Sequence, residues 1–235
     1  MHTVIAIDGP SGVGKGTVAR AVAATLGYRH VDTGAMYRAV AWRARHLGVD
    51  LDDEEAVLRV ARVAILEVDG SRIVIDGTDV SASIRTPEID RATTRVARLP
   101  RVRAELVARQ RALAEQGPLV MEGRDIGTVV FPAAAVKIYL DASPEERARR
   151  RAQDPAHTAA QTQDLAHIAE AMQRRDENDR TRQASPLSIA ADATVIDTTG
   201  VGIPAVIGAV LAVVRERAGA SSGAGASAGD PGSRT

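Results

Sequence analysis

The sequence has no cysteine, which excludes disulfides and thiolate zinc sites. Its 235 residues hold one phenylalanine, one tryptophan and three tyrosines. That is too few for the aromatic platforms on which single-stranded nucleic acid stacks. A formal net charge of zero argues against nonspecific binding to polyanions. No uninterrupted apolar run approaches about 18 residues, so no membrane span is expected. The first residues pass straight into a strand pattern, without the basic and apolar regions of a signal peptide. A cytoplasmic chain without nucleic-acid or membrane partners is the expectation. Lysine is nearly missing too: Lys15 and Lys137 stand alone among many arginines. Codon bias explains part of this, but a lysine kept inside a glycine-rich loop suggests that a slim, mobile ammonium is needed there.

What is present begins with Gly9, Pro10, Ser11, Gly12, Val13, Gly14, Lys15, Gly16 and Thr17. The apolar run Val4 to Asp8 before it reads as a buried strand. The Ala-rich run Val18 to Leu26 after it reads as a helix stopped by Gly27. Strand, glycine loop, lysine and helix form the context of a phosphate-binding P-loop. Glycines let backbone N–H groups turn inward as an anion nest. The helix N-terminus adds orphan donors and its positive dipole end. The spacing fits G-x-x-x-x-G-K, except that Gly16 takes the usual hydroxyl position and Thr17 follows it.

Downstream, Thr33 reads as an N-cap for an Ala-rich helix carrying Arg38. Between residues 64 and 85, short apolar runs punctuated by Asp69-Gly70 and Asp76-Gly77 predict a small antiparallel insert, read as a flap over a substrate. Helices are expected from Pro87 to about Leu99 and from Pro100 through Glu115. A strand ending in Glu122-Gly123-Arg124-Asp125 places charge where open α/β sheets bind ligands. Ser143-Pro144-Glu145-Glu146 is a capping box opening a helix rich in arginine. Residues 152 to 163 read as a mobile loop, followed by a helix to about Arg180. A last strand ends at Asp197, and a closing helix runs from Ile203 to Arg217. The Gly/Ser/Ala-rich residues 218 to 235 predict a disordered tail, leaving residues 1 to 217 as the folded domain. The fold class is α/β: a P-loop three-layer fold with a five-stranded parallel sheet, the antiparallel β insert and an arginine-rich helical lid over about residues 145 to 182.

A P-loop alone leaves kinases, GTPases and motor ATPases open. Guanine is read by Asn-Lys-x-Asp, but the single asparagine, Asn178, has no lysine beside it. No strand ends in the adjacent acids expected of a motor. A small-molecule kinase remains, which must hold two anions together, exclude water and stabilise spreading charge. Arg147 and Arg151 share one helix face with Arg150 beside them. Arg175, Asp179 and Arg182 share a face of the next helix. Solvated ion pairs with Glu145, Glu146 and Asp176 are the ordinary explanation for such charge runs; with a P-loop upstream, a phosphate-closing lid is favoured.

The whole pattern resembles the bacterial-type cytidylate kinases, among the nucleoside monophosphate kinases, over about residues 3 to 215. The likeness rests on the stretch Ile7 to Thr17, on Asp32-Thr33-Gly34-Ala35-Met36-Tyr37-Arg38, on Gly123 to Pro132 and on Arg175 to Arg180. It implies ATP-dependent phosphorylation of CMP and dCMP by a monomer, with Mg²⁺. By that resemblance the P-loop holds the ATP phosphates. Thr33, Arg38 and Arg124 bind the acceptor phosphate. Thr94, Arg103 and Asp125 read cytosine, Arg175 and Asp179 contact the sugar, and Arg182 is a phosphate-side lid arginine. Lys15, Arg147, Arg151 and Arg182 would surround the transferring phosphoryl group. For the metal, Thr17 and Asp32 are both candidates. The base assignment also follows chemically: a carboxylate accepts from the cytosine N4 amino group and repels the uracil O4. A buried salt bridge is the other reading of Asp125. Kinases of other monophosphates or of a non-nucleotide acceptor, and a silent nucleotide-binding regulator, remain as alternatives.

Overall fold

The computed structural model describes residues 2–70, 72–154 and 164–223. The strands are β1 (Val4–Asp8), β2 (Arg29–Asp32), β3 (Leu66–Asp69), β4 (Arg72–Ile75), β5 (Thr78–Asp79), β6 (Leu119–Gly123), β7 (Val136–Asp141) and β8 (Thr194–Asp197). The helices are α1 (Lys15–Leu26), α2 (Thr33–His46), α3 (Glu54–Val63), α4 (Pro87–Val96), α5 (Pro100–Leu113), α6 (Pro144–Gln153), α7 (Leu165–Thr181) and α8 (Ile203–Gly223). Five strands pair in parallel in the order β2-β6-β1-β7-β8.

The alternation of β1 separates two cores, since successive side chains point to opposite faces. Ile5 and Ile7 pack with Val18 and Val22 of α1 and with Val206 and Val210 of α8. Val4 and Ala6 pack on the other face with Met36 of α2 and Val107 of α5. Both faces are covered, as an all-parallel sheet requires. The C-terminal ends of β1, β2, β6 and β7 therefore open onto one edge, and the segments that follow β1, β2 and β6 bring Lys15, Arg38, Arg124 and Asp125 to it.

The insert forms as the Asp-Gly signals indicate: β3, β4 and β5 make an antiparallel sheet. Its apolar face, with Ile73 and Ile75, packs on Ala35 and Ala39 of α2. Three helix boundaries depart from expectation. The α4 helix ends at Val96, and α5 gives way at Ala114 to a short 3₁₀ turn. The closing helix reaches Gly223 rather than Arg217. Residues 155–163 of the expected mobile loop and 224–235 of the expected tail lie outside the described residues. Among the described residues, no helix is long and apolar enough to cross a membrane.

Candidate functional site

The phosphate loop between β1 and α1 is shaped by glycines where no other residue fits. Gly9 has φ +147°, and a Cβ there would lie 2.1 Å from the Leu140 carbonyl oxygen. Gly12 has φ +80°, and a Cβ would strike Met172 of α7 and the Arg147 carbonyl. Gly14 precedes α1 in the left-handed conformation and offers no side-chain cap. The first N–H groups of α1 are thus left without a side-chain partner, at residues lining the cleft.

Lys15 is buried, and its Nζ donates to the Pro10 carbonyl at 2.6 Å. Burial, reinforced by the nearby Arg124 charge, pulls its pKa down to about 7. The ammonium is curled onto its own loop and held ready for stronger acceptors.

A cleft of about 810 Å³ runs from this loop to the ends of β2 and β6. Eleven lysine and arginine side chains line it against six carboxylates, in a chain of zero net charge. Positive charge is segregated into one concavity, the arrangement that concentrates small anions.

Thr33, expected as the α2 N-cap, is not the cap. Asp32 takes that place, accepting from the Ala35 N–H at 2.9 Å. Its longer-reaching carboxylate also meets Arg38 at 2.8 Å. Burial works to raise the Asp32 carboxyl, but Arg38 and the Ala35 N–H outweigh it and hold it below its ordinary value. Thr33 instead donates from its hydroxyl to the Glu122 carbonyl at 2.7 Å, tying α2 to β6. Alongside, His30 Nε2 and a Glu122 carboxylate oxygen lie 3.2 Å apart.

After β6, Arg124 and Asp125 diverge. The Arg124 Nε donates to Asp179 of α7 at 3.0 Å, and Arg182 Nη1 lies 3.3 Å from the other Asp179 oxygen. Burial raises the Asp179 carboxyl, yet Arg124, Arg175 and Arg182 together leave it below its ordinary value. Asp125 is paired with Arg103 of α5 at 2.5 Å, both buried, with Arg182 3.7 Å away. The Arg103 guanidinium lies over the Tyr37 ring, 5.3 Å from its centre. Burial pushes the Tyr37 phenol up to about 12.

Several polar atoms buried around this end have no hydrogen-bond partner: Arg38 Nε, Arg103 Nε, Arg182 Nη2 and the Tyr37 hydroxyl. Buried donors left open are costly in a native protein. The residues that carry them line one end of the cleft, an arginine-rich wall suited to an acceptor-rich occupant.

Most expected site residues therefore share one cleft. Two do not line it. Arg147, expected at the transferring phosphoryl, passes under the phosphate loop, paired with Asp176 and donating to the Ser11 carbonyl. The reason is Asp176, 1% exposed, whose carboxylate also accepts from the Ser11 N–H and hydroxyl at 3.0 and 3.1 Å. Arg149 and Arg150 occupy the cleft wall instead, with Arg150 donating to Thr198 and to the Val13 carbonyl. Thr94 lines an adjoining recess with Asp90 and Arg91, whereas Thr93, one residue earlier, faces the cleft. Arg151 and Arg175 border both cavities, each paired with Asp90 of α4. From the insert, Gly70 and Ile73 reach the cleft edge.

Asp176, Asp90 and Asp8 tie elements around the cleft together, and motif spacing assigned none of them a role. Only three-dimensional packing gives them partners.

The sequence model of the cytidylate kinase family matches residues 5–216. Proteins named cytidylate kinase in Solibacter usitatus, Geobacillus kaustophilus and Pelotomaculum thermopropionicum are 45%, 47% and 48% identical to this chain. The matches cover 92%, 92% and 89% of this chain and 94%, 97% and 95% of those proteins. Among solved structures, an uncharacterized protein from Eubacterium ventriosum aligns with a TM-score of 0.53 over 92% of this chain and 99% of its own, at 12% identity. That likeness concerns the fold alone.

Proposed function

The chain belongs to the cytidylate kinase family, and from that premise we propose that the two ends of the cleft hold the two substrates of one phosphoryl transfer. The enzyme phosphorylates CMP and dCMP to CDP and dCDP with ATP as donor. The observation that carries the assignment of ends is the buried Arg103–Asp125 pair beside open donors, opposite a phosphate loop.

At the donor end, Gly12 to Thr17 hold the ATP phosphates through backbone N–H groups and Lys15. The adenosine lies toward Thr198, Val201 and Ile203, where Arg150 closes the wall. For Mg²⁺, the Thr17 hydroxyl and the Glu122 carboxylate are the residues that would hold the ion with its waters. Among the described residues no cluster of three or more acidic or histidine ligands exists, which suits an ion that binds chiefly through water and phosphate. Asp32 fits less well, being committed to Arg38 and the Ala35 N–H. Bound there, Mg²⁺ supplies neutralising charge to the phosphate oxygens.

At the acceptor end, Arg38, Arg124 and Arg182 bind the monophosphate, and Arg175 and Asp179 the sugar. Asp125 accepts from the cytosine amino group while Arg103 donates to N3 and O2. Thr93 is better placed than Thr94 to complete that set. Uracil presents an acceptor where Asp125 presents one too, so the wrong base sets two acceptors against each other in a buried site. The attacking phosphate oxygen is already anionic, and positioning plus positive charge supply most of the rate. Arg151 and Arg182 act at the transferring group, with Arg147 bracing the loop beneath them. The chain works as a cytoplasmic monomer without nucleic-acid or membrane partners; a cleft with an excess of basic side chains in a chain of zero net charge supports the absence of a polyanion partner.

Replacing Asp125 with alanine tests the base assignment. The kcat/KM preference for CMP over UMP is expected to fall by roughly 10²-fold or more, with the KM for ATP little changed. An unchanged preference refutes the role of Asp125.

A further inference from the structure

The turn that carries Asp125 has an arrangement its own residues do not explain. Ile126–Val130 is a single helical turn, and Asp125 stands at its N-cap position. An aspartate there ordinarily caps the open N–H groups with its own side chain. Asp125 does not, because its carboxylate is turned to Arg103. The two orphan donors are satisfied from another element: Asp8 Oδ1 accepts from the Ile126 N–H at 2.9 Å and Asp8 Oδ2 from the Gly127 N–H at 2.7 Å.

Asp8 is the last residue of β1, 5% exposed, and its neighbour Gly9 opens the phosphate loop. It does not line the cleft. Both carboxylate oxygens are thus spent on one turn, at the junction of the donor loop and the acceptor-reading loop.

We propose that Asp8 is a positioning residue for base selection: by capping the turn from outside, it frees Asp125 to face the base and fixes it relative to the phosphate loop. This rests on the reading that Asp125 recognises cytosine. The charged groups facing Asp8 are Asp125 and Lys15. Lys137 of β7 packs beside Gly127, and Tyr139 is the register partner of Asp8. Burial, strengthened by the Asp125 charge and opposed by the two N–H bonds, sets the Asp8 pKa at about 6. A protonated carboxyl turns an O–H toward donors and keeps only one good acceptor, so acid weakens the cap.

The test compares kcat/KM for CMP and UMP in the wild type, Asp8→Asn and Asp125→Ala, with ATP as donor. Asparagine keeps the size of Asp8 but presents an amide NH₂ to one backbone N–H. The CMP:UMP ratio is expected to fall about tenfold in Asp8→Asn, mainly through a higher KM for CMP. A purely structural role would lower both rates together and leave the ratio standing. A second arm uses the wild type alone: the ratio is expected to fall between pH 7.5 and 5.5. Phosphate and Lys15 titrations affect both substrates alike and cancel in it. If Asp8→Asn does not fold, this arm decides. Loss of the ratio in Asp125→Ala with its retention in Asp8→Asn overturns the proposal alone, as does a pH-independent wild-type ratio. Retention in Asp125→Ala overturns the base reading and this proposal with it.

Discussion

Lys15 shows how a site prepares a charge before its partner arrives. Its ammonium donates to the Pro10 carbonyl, and burial together with Arg124 draws its pKa down to about 7. At neutral pH such a lysine is protonated about half the time. Triphosphate oxygens beside it favour the charged form and carry the pKa back up. Binding of a non-hydrolysable ATP analogue at pH 7.5 is therefore accompanied by proton uptake assignable to this residue. Calorimetry in buffers of different ionisation enthalpy measures it, and the uptake is expected to vanish in Lys15→Met. Persistence of the same uptake in that variant contradicts the assignment. Lys15 was legible in the sequence because spacing alone fixes a P-loop lysine. The pairing of Arg103 with Asp125 was not fixed by spacing, since 22 positions separate them; the resemblance grouped the two as readers of one base, and a buried salt bridge was the other reading of Asp125 alone.

At the scale of elements, α6 and α7 behave differently from a simple lid. Their arginine faces were visible as i, i+4 spacing, but spacing names a face and not a partner. The structure gives Arg147 to Asp176, and through Asp176 to both polar groups of Ser11. This network staples α6 and α7 to the tip of the phosphate loop, where Gly12 also meets Met172. Asp176→Ala leaves a buried arginine without its counter-charge, which costs about 3–5 kcal/mol. In a chain of this size that lowers the melting temperature by roughly 10 °C, and calorimetric melting checks it. A shift under about 2 °C contradicts a buried role. The same distinction explains other misreadings. Thr33 and Asp32 both have N-cap chemistry, and only the strand register, pairing Asp32 with Glu122, turns the Thr33 hydroxyl to the β6 carbonyl. The insert was legible because Asp-Gly turns and alternation are local signals, as were Pro87, Pro100 and Ser143 at helix starts.

For the whole molecule, the strand order β2-β6-β1-β7-β8 brings three separate segments to one edge. The glycine loop after β1 leads to Lys15, helix α2 after β2 carries Arg38, and the segment after β6 carries Arg124 and Asp125. Alternating strands and helices announced the sheet, but not which strands would neighbour β1, because parallel crossovers leave order to tertiary packing. Segregated charge then makes the cleft basic in a neutral chain, which accounts for small anionic substrates without nonspecific binding. The central claim is that this cleft transfers phosphate from ATP to a cytosine monophosphate selected by the Arg103–Asp125 pair. A coupled assay of ADP formation with CMP, dCMP and UMP at matched concentrations tests it most directly. The kcat/KM for CMP and dCMP is expected to exceed that for UMP by at least about a hundredfold; equal or faster turnover of UMP rules out a cytosine-selecting Arg103–Asp125 pair.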